Sequence, residues 1–411
     1  MMTNKAELIY DWNETPVINR RIELDDETLR DGLQSPSVRT PSIDQKLRIL
    51  HLMNDIGIDS ADIGLPAAGP RMFEDVLRLT QEIVDQKLDI FPNAAARTVI
   101  SDIEPIVEIS QRTGLALEVA AFIGSSPIRQ YAEAWEVDRL VRLTHDAVSY
   151  CTENGLPVMY VTEDTTRARP EDLRRLYTAA VEAGARRVCV ADTVGHATPR
   201  GAARLIEFIR GIVDATGEEV KVDWHGHRDR DLAVANALAA VEAGASRIHG
   251  TALGVGERVG NTPMDLVLVN LQLLGWTQRD LSGLPEYCSA VAEATGVPFP
   301  ENYPVFGLDA FRTGTGVHAA AIIKAREKGD AWLADRVYSS VPADLVGCHQ
   351  IIEVGPMSGE SNVIHWLKEH GFPQDRALVK AIFERAKTSL GLLTEAELRD
   401  ICQEHGFSSA A

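Results

Sequence analysis

An α/β chain built as a (β/α)8, or TIM, barrel, followed by a linker and a small, mainly helical C-terminal region, is what this sequence predicts. Three observations carry that expectation. From about Arg20 to Trp276, short apolar runs alternate with loops and helical stretches. Six of those helical stretches close on glycine, at Gly57, Gly114, Gly155, Gly184, Gly217 and Gly244, the residue that relieves a left-handed helix cap. Eight strands with intervening helices then fit the roughly 250 residues that such a barrel takes. A doubly wound sheet is the alternative arrangement of the same units.

Taken in order, the candidate strands are Ile22–Leu24, Ser60–Ile63, Leu88–Phe91, Ala116–Phe122, Val158–Val161, Arg187–Ala191, Val220–Trp224 and Arg247–Thr251. Helix starts are marked as well. Ser42 with Gln45 forms a capping box, and Thr198-Pro199 gives an N-cap with proline in the first turn. Pro170 precedes two acidic residues that favour the positive end of a helix dipole. Beyond Leu281 the pattern stops. Val297-Pro298-Phe299-Pro300 and Tyr303-Pro304 read as linker, and a helix is expected from near His318. Val363–Leu367, Ala377–Ser389 and Thr394–His405 read as further helices, and Ser408–Ala411 as a frayed end. The expected divisions are an N-terminal arm (1–19), the barrel (20–280), a linker with a first subdomain (281–340) and a second, helical subdomain (341–411).

Composition bounds the function. Of 411 residues, 45% are hydrophobic and 25% charged, as in a soluble globular enzyme. The net charge of −19 argues against nucleic acid and anionic membranes as partners. It leaves room for a small anionic substrate, since a metal and a few arginines can invert the local field. No apolar run is long enough to span a membrane, and the N-terminus lacks a signal-peptide core. Cys151, Cys189, Cys288, Cys348 and Cys402 are odd in number and lack CxxC spacing, so they read as reduced thiols in a cytoplasmic protein.

The chemistry gathers round His225-Gly226-His227 at the end of the seventh strand. Residues i and i+2 of a strand point the same way, so both imidazoles project together, as two ligands of one metal must. A His-x-His pair also arises as ordinary core or surface residues. The barrel sets a further test, because catalytic residues belong just after the strands. Glu27–Asp31 follows strand one, Glu163-Asp164 strand five, Asp192-Thr193 strand six and the Gly254–Asn261 loop strand eight.

Four strings in order carry a resemblance: Leu29-Arg30-Asp31-Gly32-Leu33-Gln34, Asp192-Thr193-Val194-Gly195, His225-Gly226-His227-Arg228-Asp229, and the loop from Gly254-Val255-Gly256-Glu257 to Gly260-Asn261. Together they resemble the 2-isopropylmalate synthase and homocitrate synthase branch of the metal-dependent acyl-CoA condensing barrels, and the likeness continues into Gly316-Val317-His318 and Tyr338. The resemblance implies a divalent metal (Mg, Mn, Zn or Co) on Asp31, His225, His227 and Asn261. It implies condensation of acetyl-CoA with a 2-oxo acid and hydrolysis of the thioester, giving a 2-substituted malate. Arg30 would stabilise the developing oxyanion, while Thr193 and Gln34 would meet the 2-oxo acid. His318 would be the base, acting in the partner's active site of a homodimer, with Glu163 and Tyr338 assisting. Gly254, Gly256 and Gly260 would let the backbone approach the metal and the CoA chain. A dinucleotide reading of those glycines fails, because they follow the last strand and no acidic ribose partner sits at the expected distance.

The chain also departs from that pattern. Ala120 stands where the resembling synthases carry a His, and Val161 where a small hydroxyl residue is usual. Both would face the 2-oxo acid side chain, so the expected pocket is roomier and more apolar. Phenylpyruvate, giving a benzylmalate-type product, is then an option beside 2-oxoisovalerate, with homocitrate and citramalate specificities as further alternatives. Thr313-Gly314-Thr315 also replaces a more polar pattern before His318. The residues after about Pro342 are too few for the regulatory domain of many isopropylmalate synthases, so no leucine feedback through one is expected. Two competing readings are a hydroxyacyl-CoA lyase of the same superfamily and a non-enzymatic barrel. Such lyases carry a Cys in the glycine loop, which Leu253–Asn261 lacks. Retention of all four ligand positions with Arg30 argues against the non-enzymatic barrel.

Overall fold

A computed structural model describes residues 8–407, so the expected frayed end at Ser408–Ala411 lies outside the described residues. Eight parallel strands close into a barrel: β1 (Glu23–Asp26), β2 (Ser60–Asp62), β3 (Phe91–Arg97), β4 (Glu118–Gly124), β5 (Val158–Glu163), β6 (Arg187–Asp192), β7 (Lys221–Gly226) and β8 (Arg247–Gly250). The seam closes where β1 pairs with β8, Asp25 opposite His249 and Asp26 opposite Gly250. The barrel expectation therefore holds, and the doubly wound alternative does not.

Local signals account for most boundaries. All six expected capping glycines adopt positive φ. Ser42 and Gln45 make the reciprocal capping box of helix Ile43–Asp55, and the Thr198 hydroxyl accepts from Gly201 N–H at the start of helix Pro199–Asp214. One strand was expected too early. The sequence places strand three at Leu88–Phe91, but Leu88 N–H bonds Ile83 O to finish helix Pro70–Gln86, and β3 begins at Phe91. The reason is compositional. Pro92, Asn93 and three alanines carry none of the β-branched bulk that marks a strand. A helix at Leu284–Thr295, just past the barrel pattern, was also not anticipated. Its Tyr287 hydroxyl donates to the buried Asp26 carboxylate at the end of β1.

The lower interior of this barrel is not the usual layering of branched aliphatics. Asp223 on β7 accepts from Arg187 on β6 at 2.7 Å and from Arg247 on β8 at 2.8 Å. Arg247 reaches on to Glu118 on β4 at 2.7 Å. Buried charges survive only when paired this closely, and the network joins strands through side chains as well as backbone.

Two compact units divide the chain, one running to Arg279 with Glu286–Pro298, the other comprising Asp280–Pro285 and Phe299 onward. In the second unit, β9 (Arg312–Thr313) pairs with β10 (Ile351–Ile352). Helix Gly316–Glu327 starts two residues before His318, and helices Glu360–Glu369, Arg376–Thr388 and Glu395–Glu404 bury a shared core around Trp366, Leu367 and Ile382. Among the described residues no helix is long and apolar enough to cross a membrane. All five cysteines are free.

Candidate active site

Strand ends β1, β7 and β8 are neighbours around the barrel, and they bring the expected ligands together. His225 and His227 alternate to the same side of the β7 end, with ring centroids 5.1 Å apart. Asp31 Oδ2 lies 3.6 Å from His225 Nε2 and 3.7 Å from His227 Nε2. Asn261 arrives by an antiparallel bridge to His227 and donates from Nδ2 to Asp31 Oδ2 at 2.7 Å. The glycine loop explains how it reaches so far in. A side chain at Gly260 would strike Gly254 O at 1.8 Å, and one at Gly256 would lie 2.8 Å from Asn261 Oδ1. Gly254, Gly256 and Gly260 thus let the loop fold tightly over Asn261.

These residues fit a divalent cation. Two ligand atoms each ~2.1 Å from one ion stand about 3.0–4.2 Å apart, and the Asp31–imidazole separations fall in that range. Asn261 Oδ1 is buried without a partner, and a half-turn of the amide would face it toward Asp31. Two imidazoles and two oxygens without thiolate suit Mg, Mn, Co or Zn with positions left open. Burial, reinforced by the neighbouring His225, lowers His227 to a pKa of about 4, so its ring is neutral and able to ligate at neutral pH.

A second trio, Glu27, His225 and His249, also brings ligand atoms within 4.8 Å of one another. Glu27 Oε2 stands 2.7 Å from His225 Nδ1, off the line of the ring N–H. Glu27 Oε1 lies 2.9 Å from His249 Nδ1, and His249 Nε2 lies 3.2 Å from Asp223 Oδ2. Both His249 nitrogens face carboxylates, so this ring is an imidazolium with no lone pair for a metal. Burial would lower its pKa, but Asp25 and Glu27 push it up to about 10. The sequence places Glu27 in the string after strand one without a role, and His249 only within the eighth strand. The available signal was strand alternation, since Asp223/His225 and Arg247/His249 each place two polar residues on the same side of a strand.

Above this cluster opens a cavity of ≈ 270 Å³. One wall is ionic. Arg30 pairs with Asp62 at 2.6 Å and Asp31 at 3.2 Å, and these carboxylates outweigh burial to hold its pKa above the ordinary value. Gln34, Glu163 and Thr193 line the rim. Thr193 Oγ1 accepts from Asp164 N–H at 2.8 Å, which leaves its own proton to donate. Burial raises the Glu163 carboxyl, against the opposing pull of Arg129 and Arg30. The facing wall is apolar: Ala120, Met159 and Cys189 pack together with Val161 beside them. Arg258, within the glycine loop, also lines the cavity. It is held by both oxygens of Asp229 and by Thr193 O.

His318 and Tyr338 belong to the second unit, where their rings stack at 4.0 Å and 28°. His318 is exposed, and Tyr338 borders a groove of ≈ 430 Å³ with Tyr303 and Phe311.

Fold and site together define a TIM-barrel protein with a metal-type ligand cluster at the C-terminal mouth. The HMGL-like family matches residues 21–291. A 2-isopropylmalate synthase from Sulfolobus acidocaldarius is 31% identical over 375 residues, covering 90% of this chain and 92% of that protein. A homocitrate synthase from Methanopyrus kandleri is 32% identical over 384 residues, covering 92% and 90%, and a putative (R)-citramalate synthase of the same organism is 33% identical over 392 residues, covering 93% and 72%. An HMG-CoA lyase structure from Bacillus subtilis superposes with a TM-score of 0.57 at 17% identity, over 68% of this chain and 96% of that one, and supports the barrel fold. The chain belongs to the alkylmalate-synthase branch of the HMGL-like family.

Proposed function

We propose that this protein condenses acetyl-CoA with a 2-oxo acid bearing an apolar side chain, releasing CoA and a 2-substituted malate. The observation that carries the reading is the two-sided cavity, with Arg30, Asp31 and the His225/His227 pair on one wall and Ala120, Met159, Val161 and Cys189 on the other. A divalent ion held by Asp31, His225, His227 and Asn261 would supply Lewis-acid polarisation of the 2-oxo carbonyl.

The protein's own groups account for the rest. The Thr193 hydroxyl donates to the substrate carboxylate, and Gln34 lies within reach of the same end. Arg30 meets the negative charge that grows on the carbonyl oxygen as the new carbon–carbon bond forms. The acetyl methyl group must lose a proton to become a nucleophile. We assign that step to His318 of a second copy in a homodimer, with Tyr338 stacked on the ring and Glu163 orienting it. Water then cleaves the thioester. The CoA chain runs past the glycine loop at Gly254, Gly256 and Gly260. Five free cysteines and the absence of a membrane-crossing helix among the described residues support a cytoplasmic setting.

The apolar wall favours one specificity. A 2-oxo acid with a distal carboxylate, as homocitrate formation needs, would require a free cation there, and Arg258 is already held by Asp229 and Thr193 O. Pyruvate, as in citramalate formation, would leave the wall unfilled. With Ala120 and Val161 in place of larger or polar groups, a bulky side chain such as that of phenylpyruvate fits better than the isopropyl group of 2-oxoisovalerate.

Thiol release from acetyl-CoA against a panel of 2-oxo acids tests both levels. Release with apolar 2-oxo acids, phenylpyruvate ahead of 2-oxoisovalerate, is the expected result. Preference for 2-oxoisovalerate or 2-oxoglutarate would overturn the specificity, and no release with any of them would overturn the condensation.

A further inference from the structure

Beneath the proposed metal ligands runs a row of alternating acids and bases from three strands and the residue that follows a fourth. Arg187 and Arg247 hold Asp223, Asp223 faces His249, His249 faces Glu27, and Glu27 faces His225. Apart from the slightly accessible His225 and Arg187, every member is almost wholly buried, Glu27 being 3% exposed and His249 1% exposed. The row ends at the ring nitrogen of His225 opposite the one that faces Asp31. His227, by contrast, has a buried Nδ1 with no partner.

We infer that Glu27 is a positioning residue for His225, and that His249 in turn positions Glu27, so that the barrel interior sets the affinity of the site for a divalent ion. The inference rests on the metal reading proposed above and extends it to residues that do not touch the ion. The physical reason is the tautomer. An imidazole ligates through Nε2 only when the remaining proton sits on Nδ1, and a carboxylate oxygen 2.7 Å from Nδ1, although off the N–H line in the apo-protein, favours the proton there by its charge. Glu27 Oε1, meanwhile, is bound to His249 at 2.9 Å and approached by Arg30 at 3.5 Å, so the carboxylate cannot turn away.

The test is Mn2+ binding to the metal-free protein by calorimetry, with thermal unfolding of each apo-protein measured in parallel. Glu27→Gln keeps the shape but offers an N–H to one of the two rings, and is expected to weaken Mn2+ binding about 10–100-fold. His249 allows a finer cut. Asn reproduces its Nδ1 and keeps the bond to Glu27, so His249→Asn should stay within about threefold of wild type. Gln reproduces its Nε2 and keeps only the bond to Asp223, so His249→Gln should lose more than about threefold. Should Glu27→Gln fail to fold, the two His249 variants decide. Wild-type affinity in Glu27→Gln, or equal affinity in both His249 variants, would overturn the positioning role while leaving the metal site standing. Absence of Mn2+ binding in the wild type, unchanged by Asp31→Ala, would overturn both.

Discussion

Asn261 and Asp31, 230 residues apart, meet side chain to side chain at 2.7 Å in the buried mouth of the barrel. In the apo-protein the amide N–H donates to a carboxylate that also pairs with Arg30 and faces two imidazoles. Asn261→Asp would place two carboxylates at this distance, where like charges strongly disfavour double ionisation. The apo-protein should melt lower than wild type at pH 8, and saturating Mn2+ should raise its melting temperature by more than it raises that of wild type. Equal metal-induced shifts would show that no ion sits between these two side chains.

The loop that delivers Asn261 tolerates no side chain at Gly260, which sits at φ 109° with Gly254 O in the place of a Cβ. Gly260→Ala should cost about 1–3 kcal/mol from backbone strain alone and more from the clash. Mn2+ affinity of the surviving folded protein should fall, because Asn261 is displaced. Unchanged unfolding and unchanged affinity together would contradict the geometry.

The apolar wall makes a prediction about selectivity. Ala120→Phe fills the space that Ala120 leaves beside Met159 and Cys189. The ratio of kcat/KM for phenylpyruvate over pyruvate should drop by about 10–200-fold, the range a hydrophobic pocket commands. A ratio within threefold of wild type would place the substrate side chain elsewhere.

Asp26 gives a pH dependence with a definite sign. Burial raises its pKa from 3.8 to about 7, with the Thr28 and Tyr287 hydrogen bonds opposing. The folded state therefore holds a proton that the unfolded state has lost between these values, and stability falls as pH rises from about 4 to about 7. Asp26→Asn cannot titrate. Relative to this variant, wild type should lose on the order of a few kcal/mol between pH 4.5 and pH 8 in denaturant titrations. Parallel curves for the two proteins would refute the shift.

The barrel was legible because its punctuation is local. Gly57, Gly114, Gly155, Gly184, Gly217 and Gly244 end helices by their own backbone freedom, and Ser42 and Thr198 begin them by a hydrogen bond three residues long. β3 was misplaced because its three alanines, of which Ala95 lines the cavity, lack the branched bulk that advertises a strand. The convergence of Asp31, His225, His227 and Asn261 was legible because short strings fix each at a strand end. Glu27 and His249 were not, since their contact joins residues 222 apart and only barrel closure creates it. Arg258 lies inside the glycine loop, and its double hold on Asp229 depends on a turn at φ 56° that no sequence pattern announces.

The most direct measurement is anomalous diffraction from crystals of the metal-free protein soaked in Mn2+ and a 2-oxo acid. One peak bonded to Asp31, His225, His227 and Asn261, with the 2-oxo acid chelating it and its side chain against Ala120 and Val161, is the predicted result. No peak among those four side chains, or a 2-oxo acid bound away from them, would contradict the account.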